Sequence, residues 1–291
     1  MIDAARRFAS ALEATPYAGR LGLRSGEMTS DAVTASVPYL PVLANAQGFV
    51  HGGVAGSLSL WTAMMMAVAS DRDRAVSARP VSVSVNYLVA AREEALHATA
   101  RVSARGRDIV HVEIEVVSDR GRPVAVALAV LRTLADEPRV GVPRPTAAAR
   151  PDAARPMISP FSRSMGMELR SQDAASVALA MQRDVNEGLG AAIDPGALVA
   201  LADTCAALAC LPSLDERLSG SATLSLSAVF GDALGNDALA IGRSVAEDGG
   251  VRSALVEVGG DGAGIAMAKA SRHPAMTACV AYRFVAAEAL R

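Results

Sequence analysis

The sequence predicts an α+β chain built twice over: two domains in tandem, each a curved antiparallel sheet wrapped round one long apolar helix. Three observations predict it. Two helical segments are apolar on nearly every side, so each must be buried over most of its surface. The segments after each helix alternate apolar and polar residues, as half-buried antiparallel strands do. Separate motifs also recur at one nearly constant spacing.

That spacing sets the domain plan. Thr15-Pro-Tyr-Ala-Gly-Arg-Leu-Gly-Leu23 matches Ser159-Pro-Phe-Ser-Arg-Ser-Met-Gly-Met167 at 160 − 16 = 144. Asn45-Ala-Gln-Gly-Phe-Val-His51-Gly52-Gly53 leads into the first apolar helix and Ile193-Asp194-Pro195-Gly196 into the second, at 194 − 51 = 143. Tyr87 and Phe230 match at 230 − 87 = 143. An offset held across separate motifs argues for duplication of a whole domain. Pro138, Pro143, Pro145, Pro151 and Pro156 fall in one stretch between the copies, which reads as a stiff, exposed joint. The boundaries are therefore 1–136 for the first domain, 137–156 for the linker and 157–291 for the second.

Each half reads in the same order: a short N-terminal helix or turn, a strand, a loop, the apolar helix, then three or more strands. The first helix is Val54-Ala-Gly-Ser-Leu-Ser-Leu-Trp-Thr-Ala-Met-Met-Met66 and the second Ala197-Leu-Val-Ala-Leu-Ala-Asp-Thr-Cys-Ala-Ala-Leu208. Gly56, Ser57, Ala200 and Ala202 are small enough to let the sheet come close. Val81–Leu88, His111–Val116 and Val124–Leu131 read as strands, with Ser118–Pro123 as a turn between the last two. Thr223–Ser227, Leu255–Val258 and Ala278–Tyr282 fill similar places in the second half, and Gly259–Gly264 replaces the turn.

Composition narrows the function classes. Half the 291 residues are apolar and the formal net charge is −2 with no basic run, which argues against a nucleic-acid partner. The apolar windows 54–69 and 197–211 are short for a membrane span, which needs roughly 20 residues, so no membrane partner is expected. The start shows no apolar core of a secretory signal, and Cys205, Cys210 and Cys279 form no CxxC pair, so a reducing, cytoplasmic setting is expected. No two histidines show metal-ligand spacing with an acid, so no metal or other cofactor is expected.

The two copies have lost complementary things. His51-Gly52-Gly53 is intact in the first, but Leu60 stands nine residues on; Asp194-Pro195 has replaced it in the second, where Asp203 stands nine residues on. One working site made from two halves follows from that pattern. An ionised Asp203 among alanine, leucine and valine is unfavourable without a partner.

At these residues the chain resembles the hotdog-fold thioesterases, specifically the PaaI-type branch related to 4-hydroxybenzoyl-CoA thioesterases. The likeness rests on Asn45, Gly48 and His51-Gly52-Gly53, on Leu201-Ala-Asp-Thr204, on Arg105–Val116 and on Asp119–Ala125. It spans both halves, although neither copy has the full pattern alone. It implies a tandem double hotdog whose sheets join edge to edge, with an acyl-CoA substrate and an active site straddling the halves. A homodimer of such chains is left open.

The resemblance also implies roles. The Gly52 amide, at a helix start, would bind the oxyanion of a thioester carbonyl, and Asp203 would be nucleophile or general base. Asn45 would hold the thioester or the attacking water, and His51 would orient the loop or the carbonyl. Thr223 takes the place of a hydroxyl beside the acid, with Pro80 as its counterpart. Gly53, Arg105 and Arg107 are candidates for contact with substrate, the arginines with CoA phosphates, as are Arg120 and Arg122 by charge. The opposite set, Asp194, Pro195, Leu60 and Pro80, lacks donor, acid and hydroxyl, and is expected to be dead as an enzyme. The rival readings are a non-catalytic acyl-CoA sensor and, less favoured, a hotdog hydratase, since no acid stands at matching spacing from His51.

Overall fold

Local sequence sets the first elements. In α1 (Ile2–Glu13), Ala5, Phe8, Ala9 and Leu12 recur at helical spacing and are buried, so one face of the helix docks on the core. Thr15 caps α2 (Pro16–Leu21), where Pro16 fits because the first turn needs no N–H, and Gly22 ends it at φ 76°. Ser159 and Pro160 start α4 (Pro160–Ser164) in the same way, so the matched motifs make matched structure. This computed structural model describes residues 2–71, 75–135, 155–156, 159–173, 176–211, 221–260 and 274–284.

The remaining elements follow the predicted order. The first half has β1 (Arg24–Met28), β2 (Val33–Val37), α3 (Gly52–Ala69), β3 (Ser77–Tyr87), β4 (Leu96–Arg105), β5 (Ile109–Ser118) and β6 (Pro123–Leu134). The second has β7 (Arg155–Pro156), β8 (Met167–Gln172), β9 (Val177–Met181), α5 (Pro195–Cys210), β10 (Ser221–Phe230), β11 (Ala238–Asp248), β12 (Val251–Gly260) and β13 (Met276–Phe284). Among the described residues the strands form one antiparallel sheet in the order β1-β2-β4-β5-β6-β3-β10-β13-β12-β11-β9-β8-β7. The halves join where β3 pairs with β10, with Ser84 opposite Ser227 and their hydroxyls 3.0 Å apart. These two residues are themselves 143 apart, so the pseudo-two-fold axis passes between them. Pairing the two edges also removes two strand borders that would otherwise invite aggregation.

The sheet wraps α3 and α5. Every residue of α3 after Gly52 is buried, including Ser57, Ser59 and Thr62, whose hydroxyls donate to the carbonyls of Gly53, Ala55 and Leu58 one turn back. Those bonds explain how three polar residues sit in the core. By length and composition α3 could cross a membrane, but it is 94% buried inside the protein.

The structure corrects three expectations. The small helix residues face the partner helix more than the sheet: a Cβ on Gly53 would lie 2.6 Å from Ala200 Cβ, one on Gly56 2.8 Å from Val199 Cγ1, and one on Gly196 2.9 Å from Ser57 Cβ. Small residues here let α3 and α5 pack antiparallel at close range. Arg155 and Pro156, assigned to the linker, pair with β8 as a two-residue edge strand, a border position where proline's missing N–H does no harm. Gly259 and Gly260 end β12 and do not turn; Asp261–Gly264 and the other linker prolines lie outside the described residues.

Candidate active site

His51 caps α3 and sets the geometry of the helix start. Its backbone is extended (φ −63°, ψ 139°) and its Nδ1 accepts the Gly53 N–H at 3.0 Å. Nε2 lies 3.3 Å from Thr204 Oγ1, whose proton goes to the Ala200 carbonyl at 2.9 Å. Thr204 therefore accepts from Nε2–H, and the imidazole is neutral with its proton on Nε2. Burial lowers the His51 pKa, opposed by the charge of Asp203, in agreement with a neutral ring. Phe161, from the second half, stacks on it at 4.4 Å between centroids.

Asp203 enters from α5 and meets this helix start. Its side chain is almost fully buried, and its partners are specific. Thr223 Oγ1 donates to Oδ1 at 2.8 Å, and the Tyr282 hydroxyl donates to the same oxygen at 2.7 Å. Oδ2 points the other way: a Cβ on Gly52 would stand 2.9 Å from it and 3.3 Å from Thr223 Oγ1. Glycine is required at 52 for this close approach. Oδ2 also lies 3.4 Å from His51 Nδ1, but that nitrogen is occupied by Gly53, so the contact sets two acceptors side by side. The Gly52 N–H, at the first position of α3, has no acceptor among the described residues. A free amide, the positive end of a helix and a fixed carboxylate oxygen thus converge from opposite repeats. That arrangement can polarise a carbonyl and move a proton beside it.

Among the predicted residues, the structure brings Gly52, His51, Asp203 and Thr223 together. Asn45 uses its Oδ1 within its own loop, accepting the Gln47 N–H at 2.9 Å and the Phe49 N–H at 3.1 Å. Its geometry is that of a residue shaping the approach to α3. Gly53 is taken up by the helix-helix contact with Ala200 and, through its N–H, by His51 Nδ1. Arg105 is drawn to the opposite end of α3, paired with Asp71 at 2.6 Å and Ser70 at 2.8 Å, about 25 Å along the helix from Gly52. Arg107 is exposed on the neighbouring β4–β5 turn. Neither arginine is brought to the site.

Sequence reasoning missed four of its members. Tyr282 lies at an inward position of β13, in register with the buried Ala278 and Val280; a tyrosine in an apolar alternation was the available signal. Tyr87, matched to Phe230 only as a register mark, donates to the Gly52 carbonyl at 3.2 Å. Burial and the nearby Asp203 charge push both tyrosine pKa values well up, so both hydroxyls stay protonated donors. Thr204 and Phe161 touch His51 from the other half. The same crossing supplies His51 with the acid that spacing along the chain did not show.

The mirrored position keeps the frame without the chemistry. Asp194 caps α5 as His51 caps α3, its Oδ1 accepting the Gly196 N–H at 2.7 Å and the Trp61 indole N–H at 2.9 Å. Trp61 thus stands to Asp194 as Thr204 does to His51. Pro195 has no N–H, and Leu60 is wholly buried where Asp203 stands opposite. Among the described residues no cluster of three histidine, cysteine or acidic side chains is placed to hold a metal.

Comparison with solved structures fixes the fold. The chain is similar to a hot dog fold protein from Alicyclobacillus acidocaldarius at 16% identity, covering 90% of this chain and 96% of that one, with a TM-score of 0.63. It is similar over 95% of its length, and 99% of the other's, to a tesB protein of Mycobacterium avium subspecies paratuberculosis, at 11% identity and a TM-score of 0.62. The chain is a double hotdog. Residues 40–132 of this double hotdog match the family model for the acyl-CoA thioesterase N-terminal domain. The acyl-CoA thioesterase II TesB2 of Mycobacterium marinum is similar at 14% identity over 90% of this chain and 94% of that one, with a TM-score of 0.59. No curated protein matches the sequence.

Proposed function

We propose that this double hotdog hydrolyses acyl-CoA thioesters to a free acid and CoA at one composite site, with Gly52 from the first repeat and Asp203 from the second. The observation that supports it is the approach of Gly52 to Asp203 Oδ2 across the repeat boundary. The thioester carbonyl accepts the Gly52 N–H, which stabilises the oxyanion as the tetrahedral intermediate forms. Asp203 Oδ2 takes a proton from the attacking water as its oxygen bonds to the carbonyl carbon. When the C–S bond breaks, that proton passes to the CoA sulfur. Thr223 and Tyr282 hold Oδ1, leaving Oδ2 as the oxygen that reacts. Kinship with the PaaI branch in particular rests on the His-Gly-Gly start of α3.

Release of free thiol from a panel of acyl-CoAs tests the reading. Wild type should turn over, and Asp203→Asn should lower kcat by about a hundredfold or more while still binding substrate. Binding without turnover in the wild type would make the protein an acyl-CoA sensor. Single-turnover hydrolysis in ¹⁸O-water should put label in the acid product; label left on Asp203 would make Oδ2 the nucleophile. A hydratase needs a histidine nitrogen free to move a proton, and both nitrogens of His51 are engaged, at Gly53 and at Thr204.

A further inference from the structure

The second helix start has lost its catalytic groups and kept a hollow. A cleft of about 80 Å³ lies there, walled by Met64, Pro80, Asp194, Pro195, Leu198 and Phe230. Pro80, Asp194, Pro195 and Phe230 occupy the places of Thr223, His51, Gly52 and Tyr87 across the pseudo-two-fold axis. Three of those four exchanges replace a hydrogen-bonding group by hydrocarbon, as does Leu60 for Asp203. The exchanges therefore turn a polar site into a wall that water wets poorly, without filling it. Arg79 and Asp232 are exposed at the mouth; within, the wall is hydrocarbon apart from the buried Asp194, whose Oδ1 is held by Gly196 and Trp61. Met64 adds a flexible side chain able to follow an aliphatic ligand.

We propose that this cleft is a non-catalytic binding site for the aliphatic chain of a fatty acyl group, whose polar head stays in water at the mouth. It lies about 13 Å along α3 from the hydrolytic site, the length of nine helical residues. No catalytic group takes part, so the inference stands apart from the hydrolysis reading.

Trp61 is the only tryptophan in the chain and its indole bonds Asp194 in the cleft wall, so it reports on the cleft. Decanoic acid, titrated into the full-length protein below its aggregation limit, is the probe. Trp61 emission should change saturably in wild type and in Asp203→Asn alike. Ala233→Phe places a ring at the exposed mouth, where a folding defect is not expected, and should weaken the response tenfold or more while leaving thiol release unchanged. A flat titration in the wild type would overturn the proposal, and so would a saturable change that Ala233→Phe leaves untouched. Thiol release is assayed separately: a saturable Trp61 response without turnover would remove the hydrolase reading and leave this one standing.

Discussion

Asp203 shows how much a single residue's neighbours decide. A carboxylate in an apolar helix is unfavourable alone, and here two hydroxyl donors, Thr223 and Tyr282, fix one oxygen and leave the other aimed at Gly52. Tyr282→Phe should lower kcat about tenfold to a hundredfold with little change in KM, since one hydrogen bond to a charged group amounts to about 1.5–3 kcal/mol; steady-state kinetics checks the split. Gly52→Ala keeps the amide but puts a methyl 2.9 Å from Asp203 Oδ2. A displacement of that kind should reduce kcat/KM about a hundredfold, with circular dichroism unchanged. His51, Gly52, Asp203 and Thr223 could be named from the sequence because the repeat exposed what each copy had kept and the resemblance to hotdog thioesterases implied a role for each position. Tyr282 and Tyr87 could not, because a tyrosine in a strand reads first as core.

At the scale of elements, the contact between α3 and α5 places the site. Gly53 against Ala200, Gly56 against Val199 and Gly196 against Ser57 bring the helix starts past one another, so that each start faces the middle of the other helix. Gly53→Ala should therefore act on stability before chemistry. Its methyl would meet Ala200 at 2.6 Å and 2.7 Å, an overpacking that costs about 1–3 kcal/mol and lowers Tm by several degrees in a thermal melt. A melt unchanged by that substitution would show that the helices have room to part. The apolar composition of both helices made their burial legible, but which neighbour each small residue faced was set by the crossing of the helices.

At the scale of the molecule, two repeats that share a frame have diverged in charge. Burial lifts the Asp194 carboxyl from 3.8 to about 6, opposed by its bonds to Trp61 and Gly196, while Oδ2 has no hydrogen-bond partner. A carboxyl with a raised folded-state pKa binds its proton more tightly when folded. Its stabilising effect is complete below the unfolded value and lost as pH rises through about 6. The wild type should thus lose about 2–3 kcal/mol between pH 4 and pH 7.5 relative to Asp194→Asn, which has no proton to lose. Urea midpoints at several pH values measure the difference, and parallel curves for the two proteins would show that Asp194 is better solvated than its burial implies.

The sequence by itself determined the duplication, the two buried helices, the order of elements along each half and the complementary losses in the copies, because periodicity and repeat offset are properties of the chain read along its length. Only the tertiary structure decided which groups meet: His51 with Asp203, Tyr282 on the same carboxylate, Gly53 against Ala200, Arg105 drawn away to Asp71. The reason is geometric. The site's groups come from opposite repeats, and residues about 150 positions apart become neighbours only when β3 pairs with β10 and the helices cross.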